Sequence, residues 1–275
     1  MPPATMSFQH PALDTRSVRV LAALTGAGVG VLGGLIGLGG AEFRLPLLVV
    51  LFGFAALEAV IVNKAISLIV VASALLFRSH AIPLAELLVH WAIVVNLLAG
   101  SLLGAWWGAS WATRAHPRSL HRWMALLLAG IAVALLLNHG LPVEGAPGLQ
   151  GIARWGAGTA AGFGIGAAAA LLGVAGGELL IPTIVLLFGA DIKLAGSLSL
   201  AVSLPTMVVA FARYSLDGSF KVLRTRRAFV LTMAAGSVAG TAVGASLLGV
   251  VPGSVLLPVL ALILLASAWK VWRHG

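Results

Sequence analysis

Apolar runs follow one another along the whole chain, separated by short polar stretches, and they fall into two sets of five. The first set covers 18–37, 41–53, 57–77, 87–110 and 120–138. The second covers 154–173, 177–189, 193–213, 228–248 and 253–271. Runs of about 18 or more apolar residues are the mark of helices that span a bilayer. The pattern therefore predicts an all-α, polytopic membrane protein. The second run of each set is too short to cross. Residues 41–52 make about 18 Å of helix, against about 30 Å of hydrocarbon. The first two segments of each set are expected to form a broken or re-entrant hairpin. Its bend must lie inside the protein, because non-helical backbone at that depth survives only when protein or a cavity surrounds it.

The two sets are copies of one another. At a shift of 136 positions, Gly26, Gly28 and Gly30 fall on Gly162, Gly164 and Gly166. Gly37, Gly40, Glu42 and Pro46 fall on Gly173, Gly176, Glu178 and Pro182, and Phe52-Gly53 falls on Phe188-Gly189. Ala65, Ser67 and Leu68 match Ala201, Ser203 and Leu204, and Gly100-Ser101, Gly104 and Gly108 match Gly236-Ser237, Gly240 and Gly244. A Glu and a Pro inside a shared glycine pattern are hard to match by chance. The division is a polar tail at 1–17, one membrane repeat at 18–139, a linker at 140–153 and a second repeat at 154–275.

Charge sets the orientation. After the fourth segment the first repeat carries Arg114, Arg118 and Arg122, whereas residues 249–253 of the second carry none. After the third segment the bias reverses, with Arg78 and Glu86 in the first repeat against Arg213, Asp217, Lys221, Arg224, Arg226 and Arg227 in the second. By the positive-inside rule the repeats are inserted upside-down relative to each other. Both termini, with Arg16, Arg19, Lys270 and Arg273, are then cytoplasmic. This count puts twelve Lys and Arg inside and two, Arg78 and Arg154, in outside loops. Trp91, Trp111, Trp123, Trp155, Trp269 and Trp272 stand near segment ends, as an interfacial belt requires.

Composition narrows the class further. The chain is 275 residues long, 60% hydrophobic and 9% charged, with a mean hydropathy of +1.07. A soluble domain carries about 25% charged residues, so lipid is the solvent and lipid the surrounding partner. The net charge of +9 lies in short loops, which is how topology is written rather than how nucleic acid is bound. The absence of Cys excludes disulfides and thiolate metal sites. No HxxxH, HExxH or Ser-His-Asp arrangement supports an enzyme. Two carboxylates amid a basic excess make a poor site for a hard cation. No metal and no cofactor are expected. The N-terminus lacks the small-residue cleavage site of a signal peptide.

The candidate chemistry sits at the two bends. Gly37, Gly39, Gly40 and Ala41 open the short helix of the first repeat, and Gly173, Gly176 and Gly177 open that of the second. Helix starts carry free N–H groups and partial positive charge, and two of them facing each other would hold an anion. Alternatively, these glycines serve close packing, the reading favoured for Gly26, Gly28, Gly30, Gly104 and Gly108. Glu42 and Glu178 lie just inside the short helices. A carboxylate at membrane depth costs at least about 2.5 kcal/mol and is a functional hypothesis by default. It caps its own hairpin, or it carries a proton as the site changes face. Pro46 and Pro182 complete the hairpins. Arg44 either pairs with a carboxylate or offers the substrate a fixed fork. Asn63, Lys64, Ser67, Ser199 and Ser203 on the third segments can complete an oxyanion cage. Snorkelling to the interface is the favoured reading for Lys64 and Lys193. Asn96 and its counterpart Thr232 are expected to bond other helices rather than a ligand. Trp106 and Trp107 are expected in lipid contact or helix packing.

The pattern G-x-x-G-x-E-x-x-x-P, followed by Phe-Gly and Ala-x-Ser-Leu and present in both halves, resembles the TauE/SafE family of sulfite and organosulfonate exporters. The likeness covers roughly residues 18–270. The chain departs from the family's run of three glycines, with Ala41 and Ala175 in place of Gly. The resemblance implies a secondary transporter in the cell inner membrane that exports a small anion such as sulfite or a sulfonate, with proton coupling. A passive anion channel, or a carrier of another small organic anion, is the alternative. An oligomer is compatible with the sequence.

Overall fold

The computed structural model describes residues 16–36, 39–79, 82–114, 150–216 and 220–247, with scattered helical positions at 122–133 and 262–272. The fifth segment of each repeat, most of the linker and the N-terminal tail lie otherwise outside the described residues. All the regular structure described is helical. In chain order the helices are α1 (Arg16–Ile36), α2 (Ala41–Pro46), α3 (Ala56–Arg78), α4 (Leu84–Val89), α5 (Trp91–Ala112), α6 (Gly151–Leu172), α7 (Gly177–Phe188), α8 (Ile192–Ser215), α9 (Lys221–Thr225) and α10 (Arg227–Ser246). Five of them, α1, α3, α5, α8 and α10, are long and apolar enough to cross a membrane.

The predicted bends are there. Gly39 and Gly40 have φ of 81° and 67°, and Gly173 and Gly176 have φ of 65° and 81°. This is left-handed backbone that a Cβ disfavours. It stops α1 and α6 and starts α2 and α7. The first short helix is less regular than expected. After Pro46 the ladder widens into a π-helical turn, Leu47–Leu51, in which the Phe52 amide donates to the Leu47 carbonyl at 3.0 Å. Proline has no N–H to continue the i→i−4 series. Both hairpins double back along the helix that precedes them. Phe188, which ends α7, meets the Arg154 guanidinium near the start of α6, 5.9 Å from the ring centroid. Phe52, after the π turn, stacks edge-on against Phe229 at 4.8 Å, beside the start of α10.

Glycine seams hold the helices in parallel pairs. A methyl group on Gly26, Gly30 or Gly34 of α1 would strike the carbonyl of Met233, Ser237 or Thr241 on α10. On Gly236, Gly240 or Gly244 it would strike Ala23, Ala27 or Val31. The numbers rise together, so α1 and α10 run parallel. The second pair repeats this. Gly100, Gly104 and Gly108 of α5 meet the carbonyls of Thr159, Phe163 and Ala167, while Gly162 and Gly166 of α6 meet those of Leu97 and Ser101. Most of these contacts recur 136 residues on in the other half: Gly26 on Met233 becomes Gly162 on Leu97, and Gly236 on Ala23 becomes Gly100 on Thr159. The packing reading therefore holds for Gly26, Gly30, Gly104 and Gly108. Gly28 is the exception, since nothing stands within 4 Å of its missing Cβ.

Two element boundaries are corrected. Arg78, expected in a loop, is the last residue of α3 and is buried. Residues 84–89, expected as loop and as the start of the fourth segment, form the separate helix α4, and α5 begins only at Trp91.

Candidate functional site

The site forms where the first bend meets α3, α10 and the second bend. Ala41, Glu42, Arg44, Asn63, Lys64 and Ser67 are all fully buried. Helical spacing explains why they meet. Glu42 and Arg44 lie on one turn of α2, and Asn63 and Ser67 are one turn apart on the same face of α3. Arg44 donates through Nη1 to Asn63 Oδ1 at 3.3 Å and to Ser67 Oγ at 2.9 Å. Through Nη2 it donates to the Gly39 carbonyl at 3.4 Å and to Ser237 Oγ at 3.3 Å. Asn63 in turn donates to the Ala41 carbonyl at 2.8 Å, which ties α3 to the bend. Every acceptor on Arg44 is neutral. Both oxygens of the Glu42 carboxyl and the Nε of Arg44 are buried without a hydrogen-bond partner. No hydrogen bond joins Arg44 to a carboxylate, although the Glu42 carboxyl lies close enough to act on the guanidinium electrostatically.

Lys64 overturns the snorkelling expectation. Its ammonium donates to the carbonyls of Ala169 and Val174 at 2.9 and 2.6 Å. These carbonyls belong to the end of α6 and the bend after it, so Lys64 caps a helix C-terminus in the other half. A lysine held by two carbonyls inside the protein has no need of the interface. Lys193, by contrast, is exposed. The two bends adjoin: a Cβ on Gly39 would stand 3.8 Å from that of Ala175 and 2.8 Å from Val71 Cγ2.

The second repeat contributes differently. Leu180 and Leu200 occupy the positions of Arg44 and Lys64, so among the described residues the fully buried cations belong to the first repeat. Ser199 turns its hydroxyl onto the Gly196 carbonyl of its own helix at 2.8 Å, while Ser203 Oγ is buried without a partner. Gly176 and Gly177 start a helix of 12 residues, long enough for the end-charge argument. The six residues of α2 run on without a break into the π-helical turn that ends at Leu51. Gly37 and the side chains of Glu178 and Pro182 lie outside the described residues.

Ser237 is a site residue that the sequence did not single out. It stands in the Gly-Ser pair that recurs in both halves, and a buried serine in a glycine seam reads equally well as packing. Its counterpart Ser101 bonds Thr206 at 2.7 Å. Asn96 behaves as expected, donating to the Trp155 carbonyl at 2.9 Å across the α5–α6 seam. Thr232 bonds the Ala228 carbonyl of its own helix instead. Trp106 and Trp107 are about half exposed on the outer surface of α5, Trp107 against Phe163 and Trp106 under the Arg213 guanidinium. Among the described residues no cluster of His, Cys, Asp and Glu could hold a metal ion.

Apolar helices, five of them long enough to cross a membrane, define a multi-pass membrane protein with a buried cation where its broken hairpins meet. The chain belongs to the sulfite exporter TauE/SafE family, whose model matches residues 22–271. No curated protein and no solved structure matches it.

Proposed function

We propose that this protein is a secondary transporter that exports a small anion of the sulfite or organosulfonate class, coupled to protons, across the inner membrane. The observation that carries the reading is the Arg44 guanidinium. It is buried at the meeting of two broken hairpins and held only by neutral acceptors. A full positive charge in that setting calls for a mobile counter-anion. A tetrahedral or pyramidal oxyanion displaces neutral partners from a guanidinium fork by forming charge-assisted bonds. Glu42, two residues away and without a hydrogen-bond partner, takes up a proton when the anion arrives, so that two negative charges do not share the site.

Alternating access comes from insertion of the two repeats in opposite directions. The helix pairings support this. α1 runs parallel to α10, and α5 to α6. α8 runs parallel to α5, since Ser101 meets Thr206 and Ser110 meets Arg213. α3 runs parallel to α10: Phe54, just before α3, packs on Phe229, and Ser67 shares Arg44 with Ser237. α3 and α8 run antiparallel, because Arg78 at the end of α3 reaches Lys193 and Ser197 at the start of α8. These directions support opposed insertion, in which α1 and α6, the opening helices of the two repeats, point opposite ways. On this reading both termini are cytoplasmic, in keeping with the loop charges.

Sulfite flux from proteoliposomes, with and without an imposed pH gradient, tests the reading. Wild-type flux is expected to follow the gradient. Glu42→Gln is expected to lose that dependence, and Arg44→Gln to lose flux at least tenfold. Flux indifferent to the gradient and to Glu42→Gln would instead identify a passive anion channel. Absence of sulfite flux would move the search to other small organic anions.

A further inference from the structure

Arg78 stands apart from the site just described. It ends α3, is 1% exposed, and donates through Nε to Ser197 Oγ at 3.2 Å and through Nη2 to the Lys193 carbonyl at 2.9 Å. Its Nη1 is buried with no hydrogen-bond partner. Among the described residues no carboxylate forms an ion pair with it; the nearest acid in sequence on the facing helix, Asp191, is exposed and accepts from the Lys193 amide as the N-cap of α8. An uncompensated buried guanidinium is costly, and a structure that keeps one gives it something to hold.

Its position on α3 says what that is. Asn63, Ser67, Val71, Ala74 and Arg78 follow one another at steps of three and four, so they lie along one face of the helix. That face is buried throughout. It begins at the Arg44 partners Asn63 and Ser67 and ends at Arg78, roughly 16 Å beyond Ser67. Val71 and Ala74 pack against Leu200 and Met207 of α8 between the two ends. Arg78 also meets the start of α8, where the first turn of a 24-residue helix presents its own positive end. The loop charges assign this end of the α3–α8 seam to the outside.

We propose that Arg78, with Ser197 and the first turn of α8, forms a second binding site for the transported oxyanion, at the outer end of the α3–α8 seam. It rests on the reading of Arg44 as the central site. Nη1 supplies the free donor, Ser197 a hydroxyl, and the anion supplies the missing counter-charge. A carrier that hands its anion from one cation to another of equal charge needs no deep well at either, and release is then not slowed by tight central binding.

Equilibrium binding of ³⁵S-labelled sulfite to the purified full-length protein, kept anaerobic, decides the matter. Two sulfites per chain are expected for wild type and one each for Arg78→Gln and Arg44→Gln. Arg78→Lys keeps the charge but loses the fork, so it is expected to retain both sites with the outer one about tenfold weaker. It also guards against a folding defect in the glutamine variant. One sulfite per chain that Arg44→Gln removes and Arg78→Gln leaves would overturn the second site while sparing the central one. One sulfite that only Arg78→Gln removes would overturn the central reading instead. No binding to a folded wild type would overturn both.

Discussion

Arg44 divides its donors among four neutral acceptors, and each acceptor can be removed singly. Ser237→Ala takes away one of them, worth about 1.5–3 kcal/mol for a hydrogen bond to a charged group at most. Because the anion competes with that serine for the same Nη2, the expected effect on transport is small and specific. The half-saturating sulfite concentration shifts by severalfold while the maximal rate is kept, as an initial-rate series would show. Lys64→Met has a different signature. It takes a donor from both carbonyls and leaves that of Val174 without one, while that of Ala169 keeps the Val174 amide, at a cost of about 1–3 kcal/mol. The expected result is a lower melting temperature in detergent, with the Arg44 bonds untouched. At this scale the sequence was informative wherever a polar residue interrupted an apolar run. Glu42, Arg44, Asn63, Lys64 and Ser67 were conspicuous for that reason, and all are buried at one place. Ser237 was not conspicuous, because serine is common in close-packed membrane helices. Arg78 was misplaced because a basic residue at the end of an apolar run looks like an interfacial one.

Among elements, the glycine seams separate permissive from forbidden positions. A Cβ on Gly30 collides with the Ser237 carbonyl, and backbone cannot swing aside as a side chain can. Gly30→Ala is expected to lower the melting temperature by several degrees, consistent with an overpacking cost of about 1–3 kcal/mol. It also disturbs Ser237 and hence the site. Gly28→Ala, one half-turn away with open space around it, is expected to change neither stability nor transport. A thermal melt of the two variants side by side checks the contrast. The lengths and places of most elements were legible from apolar runs, and the bends from glycine. The π-helical turn after Pro46 was not. A proline removes one donor, but whether the helix then breaks, kinks or widens depends on the packing around it, here Phe52 and Phe54 against Phe229.

For the whole molecule, opposed insertion of the repeats makes a prediction that the chain is well suited to test, since it has no cysteine of its own. Cysteines introduced at the exposed positions Glu86 and Ile152 are expected to react with an impermeant maleimide from outside intact cells. A cysteine at the exposed position Thr225 is expected to react only after the membrane is opened. Labelling of all three from one side would refute the inversion and, with it, the alternating-access reading.

The amino-acid order alone determined that this is a helical membrane protein whose two halves share one pattern of residues, because hydropathy, glycine spacing and loop charge are local or periodic properties. It also determined which residues were costly enough to need a reason. Only the tertiary structure decided what those residues do for one another. Repeat symmetry makes the two halves look alike in sequence, yet the buried cations Arg44 and Lys64 both come from the first. One gathers acceptors from its own half and from α10, and the other clamps the bend of the opposite half. Such contacts join residues a hundred or more positions apart. Nothing in their local sequence encodes a partner, which is set only when the glycine seams bring the helices to packing distance.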